Sequence, residues 1–144
     1  LYWEEFKIGQ TYQVEPVTLS EEEIIDFAGK YDPQRIHIDS DFAKQGMFGG
    51  IISSGYQTIT AVWAKWIEKG VLGDEVIAGT GVDKIRWIKP VYPKDSLSAE
   101  VEVIQTKLSS KGGKGTVTFL FTIKNQSDVT VTTFEITILF KARG

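Results

Sequence analysis

The chain has no cysteine, which excludes a disulfide framework, a thiol nucleophile and a cysteine-ligated metal site. It has a single histidine, His37, and zinc usually recruits several His or Cys ligands, so no metal centre is expected. Basic charge is not in excess. A formal net charge of −3 and a pI near 5.2 argue against nucleic acid as a partner. Lys107, Lys111 and Lys114 do gather around Gly112-Gly113, a pattern that fits a solvated hairpin tip better than a binding patch. Long apolar runs are missing too, and none approaches the ~20 residues that a membrane span needs. No signal-peptide pattern opens the chain, so the expected compartment is cytoplasmic. A start at Leu1 rather than Met suggests that the natural N-terminus is missing.

What is present is an ordinary globular composition, 42% apolar and 24% charged over 144 residues. That predicts one domain, residues 1–144, large enough to bury a real core. There is no internal repeat, low-complexity tract or linker. The first half reads as helical and loop-rich, the second as strands.

A strand is expected over Thr11–Leu19. Ser20 and Glu23 then form a capping box, and Ile24, Phe27, Ala28 and Tyr31 fall on one face of the helix behind it. Asp32-Pro33 ends that helix. A short helix is expected over Ser40–Lys44, with Asp39 as its N-cap. Gly46, Gly49 and Gly50 punctuate the stretch before a longer helix from Ser53 or Ser54 to about Lys69, with Gly70 after it. Tyr56, Ile59, Trp63 and Trp66, with Ala61, Val62 and Ile67, make that helix apolar on most sides, so other structure should wrap it. Trp63 and Trp66 read as packing residues.

Val76–Trp87 is β-compatible. Ala99, Val101 and Val103 alternate with Ser98, Glu100 and Glu102, and Val117, Phe119, Phe121 and Ile123 alternate with threonines. Gly112-Gly113 and Asn125–Asp128 supply the turns. The apolar parity changes between Val131 and Phe134, which predicts a β-bulge. The expected fold class is α+β, an antiparallel sheet wrapped around one central helix, the hotdog arrangement.

The lone His37 follows Asp32 by five positions. Residues so spaced diverge by roughly 140° on a helix and face opposite sides of a strand. They can share a site only if the backbone turns between them, which Pro33 favours. A carboxylate and an imidazole brought together on a loop form a candidate acid/base centre.

Three blocks carry a family resemblance. These are Phe27-Ala28 through Asp32-Pro33-Gln34-Arg35-Ile36-His37-Ile38-Asp39, then Gly49-Gly50-Ile51-Ile52-Ser53-Ser54-Gly55-Tyr56, then Arg86-Trp87-Ile88-Lys89-Pro90-Val91-Tyr92-Pro93-Lys94-Asp95. In this order they resemble the MaoC-like acyl dehydratases, a hotdog family that includes the (R)-specific enoyl-CoA hydratases. The stricter hydratase motif has Asn-Pro where this chain has Gln34-Arg35, and glycine where it has Lys94.

The resemblance implies that Asp32 and His37 hold one water, which adds across the C2=C3 bond of a 2-enoyl thioester or leaves in the reverse step. It assigns the oxyanion role to the N–H of Gly55. Helix starts offer free N–H groups and a positive dipole end, and Ser54 is a candidate for an added hydroxyl contact. Met47, Phe48 and Tyr56 are candidates for the acyl pocket, against the more common role of such side chains as core. Arg35, Lys84, Arg86 and Lys89 are candidates for coenzyme A phosphates, against plain solvation.

The implied activity is that of a hydro-lyase acting on acyl-CoA, or on the carrier-protein-linked variant, with coenzyme A as part of the substrate and no separate cofactor. A homodimer or larger homo-oligomer is implied, with the acyl groove near the subunit interface. Two alternatives differ in class. One is a hotdog thioesterase, whose acidic residue usually lies on or near the central helix; here no carboxylate occurs between Ser53 and Ile67. The other is a non-catalytic acyl-thioester binding module.

Overall fold

The computed structural model describes all 144 residues. A 3-10 turn at Trp3–Glu5 leads into β1 (Thr11–Thr18), α1 (Glu21–Tyr31), α2 (Arg35–Ile38), α3 (Ser40–Lys44) and α4 (Gly55–Glu68). Four long strands follow: β2 (Val76–Trp87), β3 (Ser96–Leu108), β4 (Lys114–Lys124) and β5 (Thr130–Lys141). They form one antiparallel five-stranded sheet in the order β1-β3-β4-β5-β2. The sheet curls around α4 as the hotdog expectation requires. No helix is long and apolar enough to cross a membrane.

Alternation decides which face of the sheet meets the helix. Val101, Val103, Val117, Phe119, Phe121 and Ile123 are fully buried, and Trp66 of α4 closes over them. Its indole lies 5.8 Å from Phe121, 5.9 Å from Phe119 and 5.3 Å from Tyr12, distances at which aromatic edges and faces attract. A smaller cluster of Leu19, Ile24, Ala43 and Ile51 seats α1 and α3 beside the main core.

Both helix starts follow the sequence. Ser20 Oγ accepts from the Glu23 N–H at 3.1 Å, and Glu23 answers at the Ser20 N–H at 3.0 Å. Asp39 caps α3 through the Phe42 N–H. Tyr31 departs from the expected apolar face: it is 69% exposed and leans on Phe27, leaving Ile24 and Ala28 as the buried residues of α1. On α4 the buried residues are Gln57, Thr58, Val62 and Trp66, while Tyr56 and Ile67 face outward. The wrapping is therefore one-sided within a single chain, because β2 at the sheet edge stays largely bare.

The expected bulge lies in β5. Ile123 pairs with Thr132 and Lys124 with Thr130, so Val131 is the extra residue. Its carbonyl accepts the N–H groups of both Ile88 (2.8 Å) and Lys89 (3.2 Å), which ties the end of β2 against the start of β5.

Candidate active site

The backbone turn that the Asp32–His37 spacing requires is built in two steps. Asp32 stops α1 with its N–H still bonded to Ala28, then leaves helical space at φ −156°. Pro33 and Gln34 reverse the chain, and a single helical turn, α2, starts at Arg35. His37 thus sits on a one-turn helix rather than on the expected loop, and the imidazole returns to the carboxylate.

His37 is 4% exposed, and its Nδ1 lies 2.7 Å from the Ile52 carbonyl. A carbonyl only accepts, so Nδ1 carries a proton and Nε2 is the ring nitrogen turned to the other side. Nε2 faces Asp32 Oδ2 at 3.5 Å, beyond ordinary hydrogen-bond length. Asp32 is itself held by two donors: Gln34 Nε2 to Oδ1 at 2.7 Å and Ser54 Oγ to Oδ2 at 2.8 Å. The Gln34 amide, followed by the Ser54 hydroxyl and the neighbouring imidazole, holds the carboxyl below its usual range against the opposing effect of burial. The Asp32 carboxylate oxygen and Nε2, an acceptor when it carries no proton, converge. One water can donate a hydrogen bond to each and turn its own lone pair outward.

Gly55 opens α4 behind the N-cap Ser54. Its N–H bonds to no protein acceptor, as a first-turn donor is free to do. The space beside its Cα is not open. A Cβ added there would stand 2.6 Å from Trp87 Cδ1 and closer still to Nε1 and Cε2, so the indole rests directly on the glycine. Tyr56 meets the same indole edge-on at 5.2 Å.

Asp32, His37 and Gly55 line one cavity of about 560 Å³, and Phe48 and Tyr56 stand in its wall. Met47 does not join them: it is 92% exposed, carried outward by the Gly-rich turn. Ser54 is fully buried and spends its hydroxyl on Asp32 and on the Tyr56 N–H, so it buttresses the carboxylate instead of reaching toward an oxyanion. Gln34, Thr58, Trp87 and Thr132 line the cavity without having been singled out for it. Among the candidate cations, Arg35 pairs with Asp39 at 3.0 Å and lies over the Phe42 ring, and Lys84 pairs with Glu135. Arg86 donates to the carbonyl of Ile85, and Lys89 alone of the four lines the cavity.

The Gln34 contact carries a pH prediction. A carboxyl held low stays ionised to lower pH, so activity that needs the carboxylate persists on the acid side. Gln34→Leu removes the donor and lets the Asp32 value rise, so the acid limb of the kcat/KM profile should move upward. An unmoved limb would show that Gln34 does not set the charge of Asp32.

Residues 5–125 match the family model described as MaoC like domain. The chain is 41% identical over 138 residues to the uncharacterized protein YdeM of Bacillus subtilis (strain 168), covering 96% of this chain and 97% of that one. The fold superposes on a monoamine oxidase regulatory protein from Archaeoglobus fulgius with a TM-score of 0.91 at 28% identity, covering 100% of this chain and 96% of that one. It matches the MaoC-like dehydratase from Rhodospirillum rubrum with a TM-score of 0.90 at 25% identity, covering 100% and 99%.

Proposed function

The chain belongs to the MaoC-like domain family, and on that premise we propose that it is a hydro-lyase that adds water reversibly across the C2=C3 bond of a 2-enoyl thioester. The observation that carries this reading is the pair Asp32 Oδ2 and His37 Nε2, 3.5 Å apart on a cavity that also holds the unpaired Gly55 N–H. A water held by the pair loses a proton to Asp32 as its oxygen attacks C3. The electrons of the double bond move toward the thioester, whose oxygen gains charge and accepts a hydrogen bond from the Gly55 N–H. C2 then receives a proton from the same pair, and the net change is H on C2 and OH on C3. No metal or redox step is called for, and coenzyme A enters as part of the substrate. Lys89 at the rim is the candidate contact for its polar arm, or for that of a carrier protein.

The thioesterase alternative gains no support from α4. Its one carboxylate, Glu68, is in the last turn, paired with Lys65 at 3.5 Å and outside the cavity. Incubation with a short 2-enoyl-CoA, following enoyl absorbance and free thiol together, separates the classes. Loss of the enoyl signal without thiol release is the expected result. Thiol release would mean a thioesterase, and binding without turnover a non-catalytic module.

A second copy of the chain is the proposed partner. Strand β2 offers an unpaired edge, and Ile77, Val82 and Trp87 on it are about half exposed. Trp87 also lines the cavity, so a partner seated there would help to close the site. A solution mass of a single 16.1 kDa chain would overturn this assignment.

A further inference from the structure

Two threonines in the cavity wall are buried, and neither has a hydrogen-bond partner. Thr58 and Thr132 are each 1% exposed, and neither hydroxyl bonds to any protein group. Neighbouring buried polar groups behave differently. Ser53 Oγ donates to the Ser54 carbonyl, Ser54 Oγ to Asp32, and Gln57 Nε2 to the Glu23 carbonyl, while Thr118 and Thr137 share a bond of 2.9 Å across the sheet. Nor are the two hydroxyls sealed in. The one fully enclosed side-chain polar atom without a partner is Trp66 Nε1, so the threonine oxygens open into the cavity that both residues line. Valine would fill the same space without a group whose desolvation goes uncompensated.

Their positions say which part of a substrate they would meet. Thr58 lies one helical turn inward from Ser54, the residue that holds Asp32, about 6 Å along the helix axis. Thr132 pairs with Trp87 across the β2–β5 ladder, so their side chains share the sheet face that presses on Gly55. Thr58 therefore stands on the helix side of the cavity and Thr132 on its sheet side, next to Val131, whose carbonyl holds the Lys89 N–H. Asp32 is ionised in the same cavity, so an anionic chain end placed beside it is disfavoured.

We propose that the acyl pocket selects a chain carrying an uncharged hydrogen-bonding oxygen, hydroxyl or carbonyl, beyond C3, and that Thr58 and Thr132 are the residues that select it. This rests on the hydratase reading above. A threonine hydroxyl both donates and accepts, so the pair matches either group.

The test compares kcat/KM for 6-hydroxyhex-2-enoyl-CoA with that for hex-2-enoyl-CoA, and with the analogue ending in a carboxylate. The hydroxylated chain should lead the plain one by about tenfold or more, the scale of two neutral hydrogen bonds. The carboxylate should be the poorest. Thr58→Val and Thr132→Val should each cut the hydroxyl preference about 3- to 10-fold, and Thr58→Ser should restore it. Taking the ratio within each variant cancels any general loss of activity, and the wild-type ratio decides the matter if a variant fails to fold. Equal turnover of the hydroxylated and plain chains, or a preference for the plain one, would overturn the selectivity and leave the hydratase reading standing. No turnover of any of the three would instead count against that reading. Calorimetric binding of 6-hydroxyhexanoyl-CoA against hexanoyl-CoA then decides the pocket: tighter binding of the former supports it, and equal binding overturns it.

Discussion

Asp32→Asn and His37→Asn are each expected to slow 2-enoyl thioester hydration by about 10²–10⁴-fold, the range lost with a positioned acid/base group. Asparagine at position 32 keeps the shape of the side chain and can still accept from Ser54, but it cannot take a proton from water. At position 37 it is the better probe than alanine. His37 is buried and its Nδ1 meets the Ile52 carbonyl, so alanine would leave both a cavity and an unpaired acceptor, at a cost of about 1–3 kcal/mol for the acceptor alone. The asparagine amide offers a donor near the old Nδ1 position and removes only Nε2. Because both groups act on one water, the double variant should be little worse than either single one. Thermal unfolding of each variant establishes that the fold is kept. Turnover near the wild-type rate in either well-folded variant would sink the mechanism.

The Asp32–His37 pair could be read from the sequence because its geometry is local. One proline and one capped helix decide where two residues five apart will point, and the same holds for the Asp39 cap and the hairpin at Gly112-Gly113. Residues whose role depends on long-range register were harder. Thr132 faces the cavity because the bulge at Val131 resets the parity of β5, and threonine in an alternating strand looks like a solvent-facing residue. Trp87 ends a strand whose pairing with β5 slips three times, so no alternation pattern could assign its face. Met47 illustrates the opposite error. An apolar residue next to glycines invites a pocket role, but the turn carries it into solvent. Gln34, taken as a departure from a motif, supplies the shortest hydrogen bond that Asp32 receives.

The oxyanion role proposed for Gly55 can be divided into space and hydrogen bond. Gly55→Ala alone should lower kcat/KM about 10²-fold, the scale of one lost oxyanion donor, yet it keeps the N–H. The loss would come from the methyl group driving the Trp87 indole off the helix start. Removing the obstacle should reverse it, so Gly55→Ala combined with Trp87→Ala is expected to recover most of the activity of Trp87→Ala alone. The donor is then isolated by Gly55→Pro in the same Trp87→Ala background. Proline is well tolerated at the first position of a helix, where its missing N–H takes no part in the helical ladder. Ser54, at φ −56° and ψ 136°, already has the extended conformation that a following proline demands. The fold should therefore survive while the one unpaired donor disappears. If that N–H stabilises the thioester oxygen, the proline variant should fall about 10²–10³-fold in kcat below the alanine variant, with KM much less affected. Equal kcat in the two would mean that the charge is stabilised elsewhere, and that the glycine is there only to make room for the indole.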